Sequence, residues 1–148
     1  MNDQQTEDGP VRLKTLLVDD EEEFLNTMVK RLRKRNLDVN TAKEGYEAVD
    51  MVSRESFDVV VLDMAMPGMN GIETLREIKR VSPSTEVIIL TGHAEVEAAV
   101  QGMELGAFDY LLKPTDIDEL LYKIQDAFIR KQCREESEEC RARFTIQS

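Results

Sequence analysis

The sequence has no tryptophan, one histidine, two cysteines and no long apolar run. Its longest unbroken apolar stretches, such as Val59-Val60-Val61-Leu62, are far too short to cross a bilayer, so no membrane insertion is expected. Residues 1–10 lack a basic start followed by an apolar core, which excludes a secretory signal and leaves the cytoplasm as the expected location. The cysteines, Cys133 and Cys140, lie seven residues apart. On one helix that is roughly 10 Å along the axis, too far for a disulfide, so free thiols in a reducing compartment are expected. Basic residues are also scarce: 19 against 30 acidic ones, for a net charge of −11. That balance argues against direct nucleic-acid binding, which rests on neutralising phosphates with Lys and Arg. A local basic run at Lys30, Arg31, Arg33, Lys34 and Arg35 reads either as a solvated helix C-terminus complementing the dipole or as a docking patch.

What remains is a chain long enough for one domain and a tail. Residues 1–10 are polar, broken by Gly9-Pro10, and are expected to be disordered. From there, short apolar runs alternate with helical patterns. Leu13 to Val18 reads as a strand. Phe24, Leu25, Met28, Val29 and Leu32 then recur at helical spacing. Val39 to Ala42 is a second strand, followed by a helix through Tyr46, Ala48, Val49 and Val52. Val59 to Leu62 and Val87 to Leu90 read as strands buried on both faces, the habit of parallel sheets. Between them, Ile72, Leu75 and Ile78 mark a helix ended by Ser82-Pro83. Val96, Ala99, Val100, Met103 and Leu105 give another, stopped at Gly106. Tyr110-Leu111-Leu112 is the fifth strand, and Ile117, Leu120, Leu121, Ile124, Ala127 and Phe128 the fifth helix. Five strands alternating with five helices imply an α/β fold, a doubly wound parallel sheet covered on both sides.

Ligands of such sheets bind beyond the carboxyl ends of the strands. Here those ends carry Asp19-Asp20, Asp63, Thr91 and Lys113-Pro114. Taken singly, each has an ordinary reading: an acidic residue or a threonine caps the next helix, and a lysine faces solvent. Asp63 fits least well, because Met64-Ala65-Met66-Pro67-Gly68 continues as a loop. Together they place three carboxylates, a hydroxyl and an ammonium on one rim. Carboxylates so close repel unless a cation joins them, and hard oxygen ligands with room for water suit Mg²⁺. Asp63 is then placed to act as a nucleophile toward a phosphoryl group, with Lys113 supplying compensating charge.

At these residues the sequence resembles the receiver domains of two-component response regulators. The matching pieces are Leu17-Val18-Asp19-Asp20-Glu21, Val61-Leu62-Asp63-Met64-Ala65-Met66-Pro67-Gly68-Met69-Asn70-Gly71, Leu90-Thr91-Gly92-His93-Ala94, and Gly106-Ala107-Phe108-Asp109-Tyr110-Leu111-Leu112-Lys113-Pro114. The resemblance implies a (βα)5 flavodoxin-like fold of strand order 2-1-3-4-5, with the receiver over residues 11–130 and a polar helical extension or tail over 131–148. It implies Asp63 as phospho-acceptor and Mg²⁺ held by Asp20, Asp63, the backbone carbonyl of Ala65 and, mainly through water, Asp19. Thr91 and Lys113 are implied to bind phosphoryl oxygens, Tyr110 to be a switch aromatic, and Pro114 to sit in a cis-like loop. Ala65 and His93 occupy positions that tune phosphoryl lifetime, with His93 expected to face solvent or loop. The donor is implied to be a sensor histidine kinase or phosphotransfer protein, and pairing through the fourth and fifth helices is the family habit.

The segment from Thr91 to Lys113 most resembles nitrogen-regulation-type receivers, yet no Gly-x-x-x-x-Gly-Lys-Ser/Thr loop follows and no helix-turn-helix fits after residue 130. The chain is therefore expected to be a single-domain regulator or a piece of a longer transcriptional activator. A haloacid-dehalogenase-type hydrolase requires an acid-base aspartate where Ala65 stands. A flavodoxin-like cofactor module requires a phosphate cradle where Asp19 to Glu23 would repel one. A partner-binding pseudo-receiver is the third alternative. In the tail no apolar seam follows Phe128, so residues 131–148 are expected to fray.

Overall fold

Period-two alternation along each central strand sends its side chains to two separate cores. In the computed structural model, residues 12–66 and 68–147 are described, with side chains through residue 138. The expected disorder of residues 1–10 and the side chain of Cys140 lie outside them. The strands are β1 (Lys14–Val18), β2 (Asp38–Ala42), β3 (Val59–Asp63), β4 (Glu86–Thr91) and β5 (Asp109–Leu112). The helices are α1 (Glu22–Arg33), α2 (Gly45–Arg54), α3 (Gly71–Val81), α4 (Val96–Glu104) and α5 (Ile117–Gln147), with a 3-10 turn at His93–Glu95. All strand pairs are parallel, in the order β2-β1-β3-β4-β5. This is the doubly wound (βα)5 sheet expected from the sequence.

Leu17, Val59, Val61, Ile88, Leu90 and Leu111 face one side, where Leu25, Met28 and Leu32 of α1 and Leu120, Ile124 and Ala127 of α5 cover them. Leu16, Val18, Val60, Leu62, Val87 and Ile89 face the other, packed by Ala48 and Val52 of α2, Leu75 and Ile78 of α3 and Ala99 of α4. Because β1, β3 and β4 are covered on both faces, the sheet is rigid where the functional strand ends emerge. Among the described residues no helix is long and apolar enough to cross a membrane.

Two boundaries have clear chemical causes. Asn70 caps α3: its side chain accepts from the Glu73 N–H at 2.9 Å, and its own N–H donates to Glu73 Oε1 at 3.2 Å. Gly106, at φ +108°, ends the turn after α4 in a region disfavoured for residues with a Cβ. The last helix, α5, runs unbroken to Gln147, so the polar segment after residue 130 is helical here, the first of the two forms expected for it.

Candidate functional site

Parallel register decides which strand ends become neighbours. Val18 lies opposite Leu62, so Asp19, just beyond β1, stands beside Asp63 at the end of β3. Thr91 of β4 lies opposite Leu112 of β5, and the Lys113 N–H donates to the Thr91 carbonyl at 2.8 Å. Four chain segments thus deliver Asp19-Asp20, Asp63, Thr91 and Lys113 to one rim. The loop after Asp63 is held down by its own side chains, since Met64 and Met66 are buried. The Met64 N–H donates to Leu90 at 3.1 Å. Gly71 lies so close that a Cβ there would fall 2.7 Å from the Met64 Cα, so glycine is what lets α3 start against this loop.

The carboxylates of Asp19, Asp20 and Asp63 each offer an oxygen within 4.8 Å of the others. Asp19 and Asp63 are buried, and Asp20 is exposed. Lys113 Nζ bridges the buried pair, 2.8 Å from Asp19 Oδ2 and 3.3 Å from Asp63 Oδ1. Burial, reinforced by the charge of Asp19, pushes the Asp63 carboxyl from an ordinary 3.8 up to about 6, against the pull of Lys113 and the Ala65 N–H. Burial works the other way on Lys113. The hydrogen bonds and charges of Asp19 and Asp63 overcome it and raise its pKa above the ordinary lysine value.

One ammonium facing three carboxylates leaves the site short of positive charge. That deficit, together with a donor set made only of hard oxygens, fits a small divalent cation better than a proton or a second lysine.

The remaining sequence candidates take different places. Thr91 is buried, and its hydroxyl donates to the Gly92 carbonyl at 3.1 Å. The Ala65 N–H reaches Asp63 Oδ1 at 3.5 Å, and the Ala65 side chain is exposed. Tyr110, opposite Ile89 in β5, packs half-buried against the core on the α2–α4 side. The Lys113–Pro114 peptide is cis. His93 is exposed in the 3-10 turn. Of the basic run, Lys30, Arg31 and Arg33 occupy the last turn of α1, where Arg33 donates to the Val39 carbonyl at 3.0 Å, and Lys34 and Arg35 follow its end.

Two site residues escaped the sequence reading. Phe24 lies under Lys113, with Nζ 4.9 Å from its ring centroid, and Glu21 approaches the same ammonium at 3.8 Å. Phe24 read simply as one of the apolar positions of α1. Nothing in its local pattern shows that Lys113, eighty-nine positions on, rests over its ring.

Comparison with known proteins agrees with the geometry. The profile of the response regulator receiver domain matches residues 15–125. The transcriptional regulatory protein ZraR of Klebsiella oxytoca is 38% identical over 120 residues, covering 81% of this chain and 27% of that protein. The DNA-binding transcriptional regulator NtrC of Klebsiella pneumoniae is 37% identical over 116 residues, covering 78% and 25%. The chain thus spans about a quarter of the length of these curated relatives. Among solved structures, a response regulator receiver domain protein from Clostridium thermocellum superposes with a TM-score of 0.78 at 38% identity, covering 81% of this chain and 97% of that one. NtrX from Brucella abortus gives 0.81 at 26% identity, covering 88% and 30%. Fold, strand order and sequence all converge on one assignment: the chain belongs to the response regulator receiver domain family.

Proposed function

We propose that this receiver accepts a phosphoryl group on Asp63 from a phosphohistidine of a sensor histidine kinase or phosphotransfer protein. The observation that carries the reading is the Asp19–Asp20–Asp63 cluster with Lys113 bridging its two buried members. A carboxylate oxygen of Asp63 attacks phosphorus as the phosphorus–nitrogen bond of the donor breaks. The electron pair stays on the departing imidazole, and the product is an acyl phosphate.

Asp20, Asp63 and the Ala65 carbonyl would hold Mg²⁺, with Asp19 acting mainly through water. When bound, the ion offsets carboxylate repulsion and the charge gathering on the transferring oxygens. Lys113, already drawn in by two carboxylates, is placed to pair with a phosphoryl oxygen. Thr91 has a hydroxyl committed only to an adjacent carbonyl, which it can exchange for another phosphoryl oxygen. We assign Tyr110, half-buried on the neighbouring strand, the role of reporting that exchange by turning inward, a population shift between two arrangements. Ala65 offers no side chain to position an attacking water. Both Ala65 and His93 remain our candidates for setting phosphoryl lifetime.

The matched relatives are transcriptional regulators about three times as long. We therefore read the output as a partner or an attached effector domain, with any nucleic-acid contact made there. Exposed Val100 and Met103 of α4, Leu112 of β5 and Tyr122 and Ile129 of α5 support pairing of two copies through that face.

Acetyl phosphate with Mg²⁺, or the inert mimic beryllofluoride, tests the assignment. The wild type should gain the mass of one phosphoryl group or shift Tyr110 spectroscopically, and Asp63→Asn should do neither. An equal response in both proteins sinks it. Sedimentation with and without beryllofluoride tests the pairing.

A further inference from the structure

Glu86 opens β4, five residues before Thr91 and roughly 17 Å from it at the opposite end of the strand. Its side chain is 1% exposed. A buried carboxylate requires compensation, yet neither oxygen of Glu86 accepts a well-formed hydrogen bond from the described residues. Three cations surround it instead. Arg134 Nη2 lies 3.1 Å and Arg130 Nε 3.7 Å from Oε2, and Lys79 Nζ lies 4.0 Å from Oε1. Burial holds Lys79 below its ordinary pKa. Glu86 pulls the other way, and Arg134 and Arg130 add to the fall.

Two of these cations come from the middle of α5, beyond its described apolar packing. Among the described residues Phe128 is the last side chain of the helix packed on the core, and Ile129 is exposed. The next nine residues, Arg130 to Glu138, contain no large apolar side chain, and Cys133 is exposed. Among the described residues they meet the body of the domain through ion pairs and one cation–π contact. Arg130 lies over the Phe108 ring at 5.5 Å as well as beside Glu86. Lys131 pairs with Asp58 at 3.3 Å, and Asp58 in turn accepts from the Lys14 N–H at 2.9 Å. Within the helix, Lys131 also pairs with Glu135 at 3.0 Å. The N-terminal ends of β1, β3 and β4 are thus tied to a helix that, at 31 residues, runs for about 46 Å.

We propose that Glu86 is an ionic anchor fastening residues 130–138 of α5 to the base of the sheet, with Asp58–Lys131 as a second point, and that this stretch stays docked and helical because of it. The segment is then a conditional extension of the domain: ordered while the anchor holds, released when it is broken. The site at Asp63 takes no part in this, so the proposal stands or falls apart from the phosphoryl-transfer reading.

Hydrogen exchange of the full chain, read by mass spectrometry on peptides covering residues 117–138, tests it. In Glu86→Gln, amides of 130–138 are expected to exchange about tenfold faster or more, while those of 120–127 stay slow. A second variant, Arg130→Gln with Arg134→Gln, removes the partners from the solvent side and leaves the core intact. It should show the same local loss, and it decides the matter if Glu86→Gln does not fold. Unchanged exchange over 130–138 in a folded variant overturns the anchor, as does a rise spread evenly over the whole helix.

Discussion

Without metal, Asp63 should weaken the fold that presents it. Its carboxyl sits at about 6 in the folded chain against an ordinary 3.8, because burial and Asp19 disfavour the charged form more than Lys113 favours it. An acid with a raised folded pKa holds its proton more tightly folded than unfolded, so folding gains stability as pH falls from 6 toward 3.8. Conversely, the full penalty is present above pH 6. The gap corresponds to about 3 kcal/mol at most, and partial solvent access reduces this to about 1–2 kcal/mol.

Asp63→Asn removes the charge with little change of shape, so in EDTA at pH 7.5 the variant should be more stable than wild type by about 1–2 kcal/mol. That corresponds to a Tm increase of roughly 3–8 °C for a domain of this size. The advantage should shrink as pH falls through 6 and vanish below 3.8. Other carboxylates titrate alike in both proteins and cancel in the difference. Mg²⁺ should reverse the order. At a hundredfold excess over its Kd, a ligand of the wild type alone stabilises it by about 2.7 kcal/mol. Urea melts of both proteins at pH 7.5 and 5.0, with EDTA and with Mg²⁺, contain the whole comparison. A variant less stable than wild type in EDTA, or a difference indifferent to pH, refutes the electrostatic account of the site.

Further outcomes follow from the same geometry. Lys113→Gln removes the cation 2.8 Å from Asp19 and 3.3 Å from Asp63, so Mg²⁺ should bind several-fold more tightly. Calorimetry showing weaker binding would contradict this. Thr91→Val should leave phosphoryl uptake by mass intact but abolish the Tyr110 response to beryllofluoride, and a persisting response would remove Thr91 from the switch. Gly71→Ala forces a Cβ to within 2.7 Å of the Met64 backbone, so the loop beside Asp63 must shift. Destabilisation of about 1–3 kcal/mol with weaker Mg²⁺ uptake is expected. Ile89→Ala, fully buried in β4, should cost about 2–5 kcal/mol in urea melts while Mg²⁺ still binds the folded fraction.

Much of this was open to reading from local chemistry. Val59–Leu62 and Val87–Leu90 are apolar on both faces, which only a doubly covered strand accommodates. A parallel sheet then places whatever follows each strand on one edge, which is why Asp19, Asp63, Thr91 and Lys113 could be grouped in advance. Departures occur where a partner lies far away in sequence. The fourth strand begins at Glu86, one residue earlier than its apolar run suggests. A glutamate reads as a loop residue unless cations from α3 and α5 are known to surround it. Residues after Phe128 carry no apolar seam, so the sequence favours fraying, whereas in the structure Arg130 and Arg134 meet Glu86 and Lys131 meets Asp58 along a continuous helix. Phe24 looked like a core residue and also floors the lysine.

The alternation of strands and helices, the burial pattern and the identity of the polar groups at the strand ends are written in the chain, because they depend on periodicity and residue type. Strand order came from the family resemblance. Which carboxylate Lys113 chooses, how far the Asp63 carboxyl is pushed and where α5 stays docked were decided only in three dimensions. Charges act through space across a few ångströms, and the separation along the chain between interacting groups carries no information about that distance.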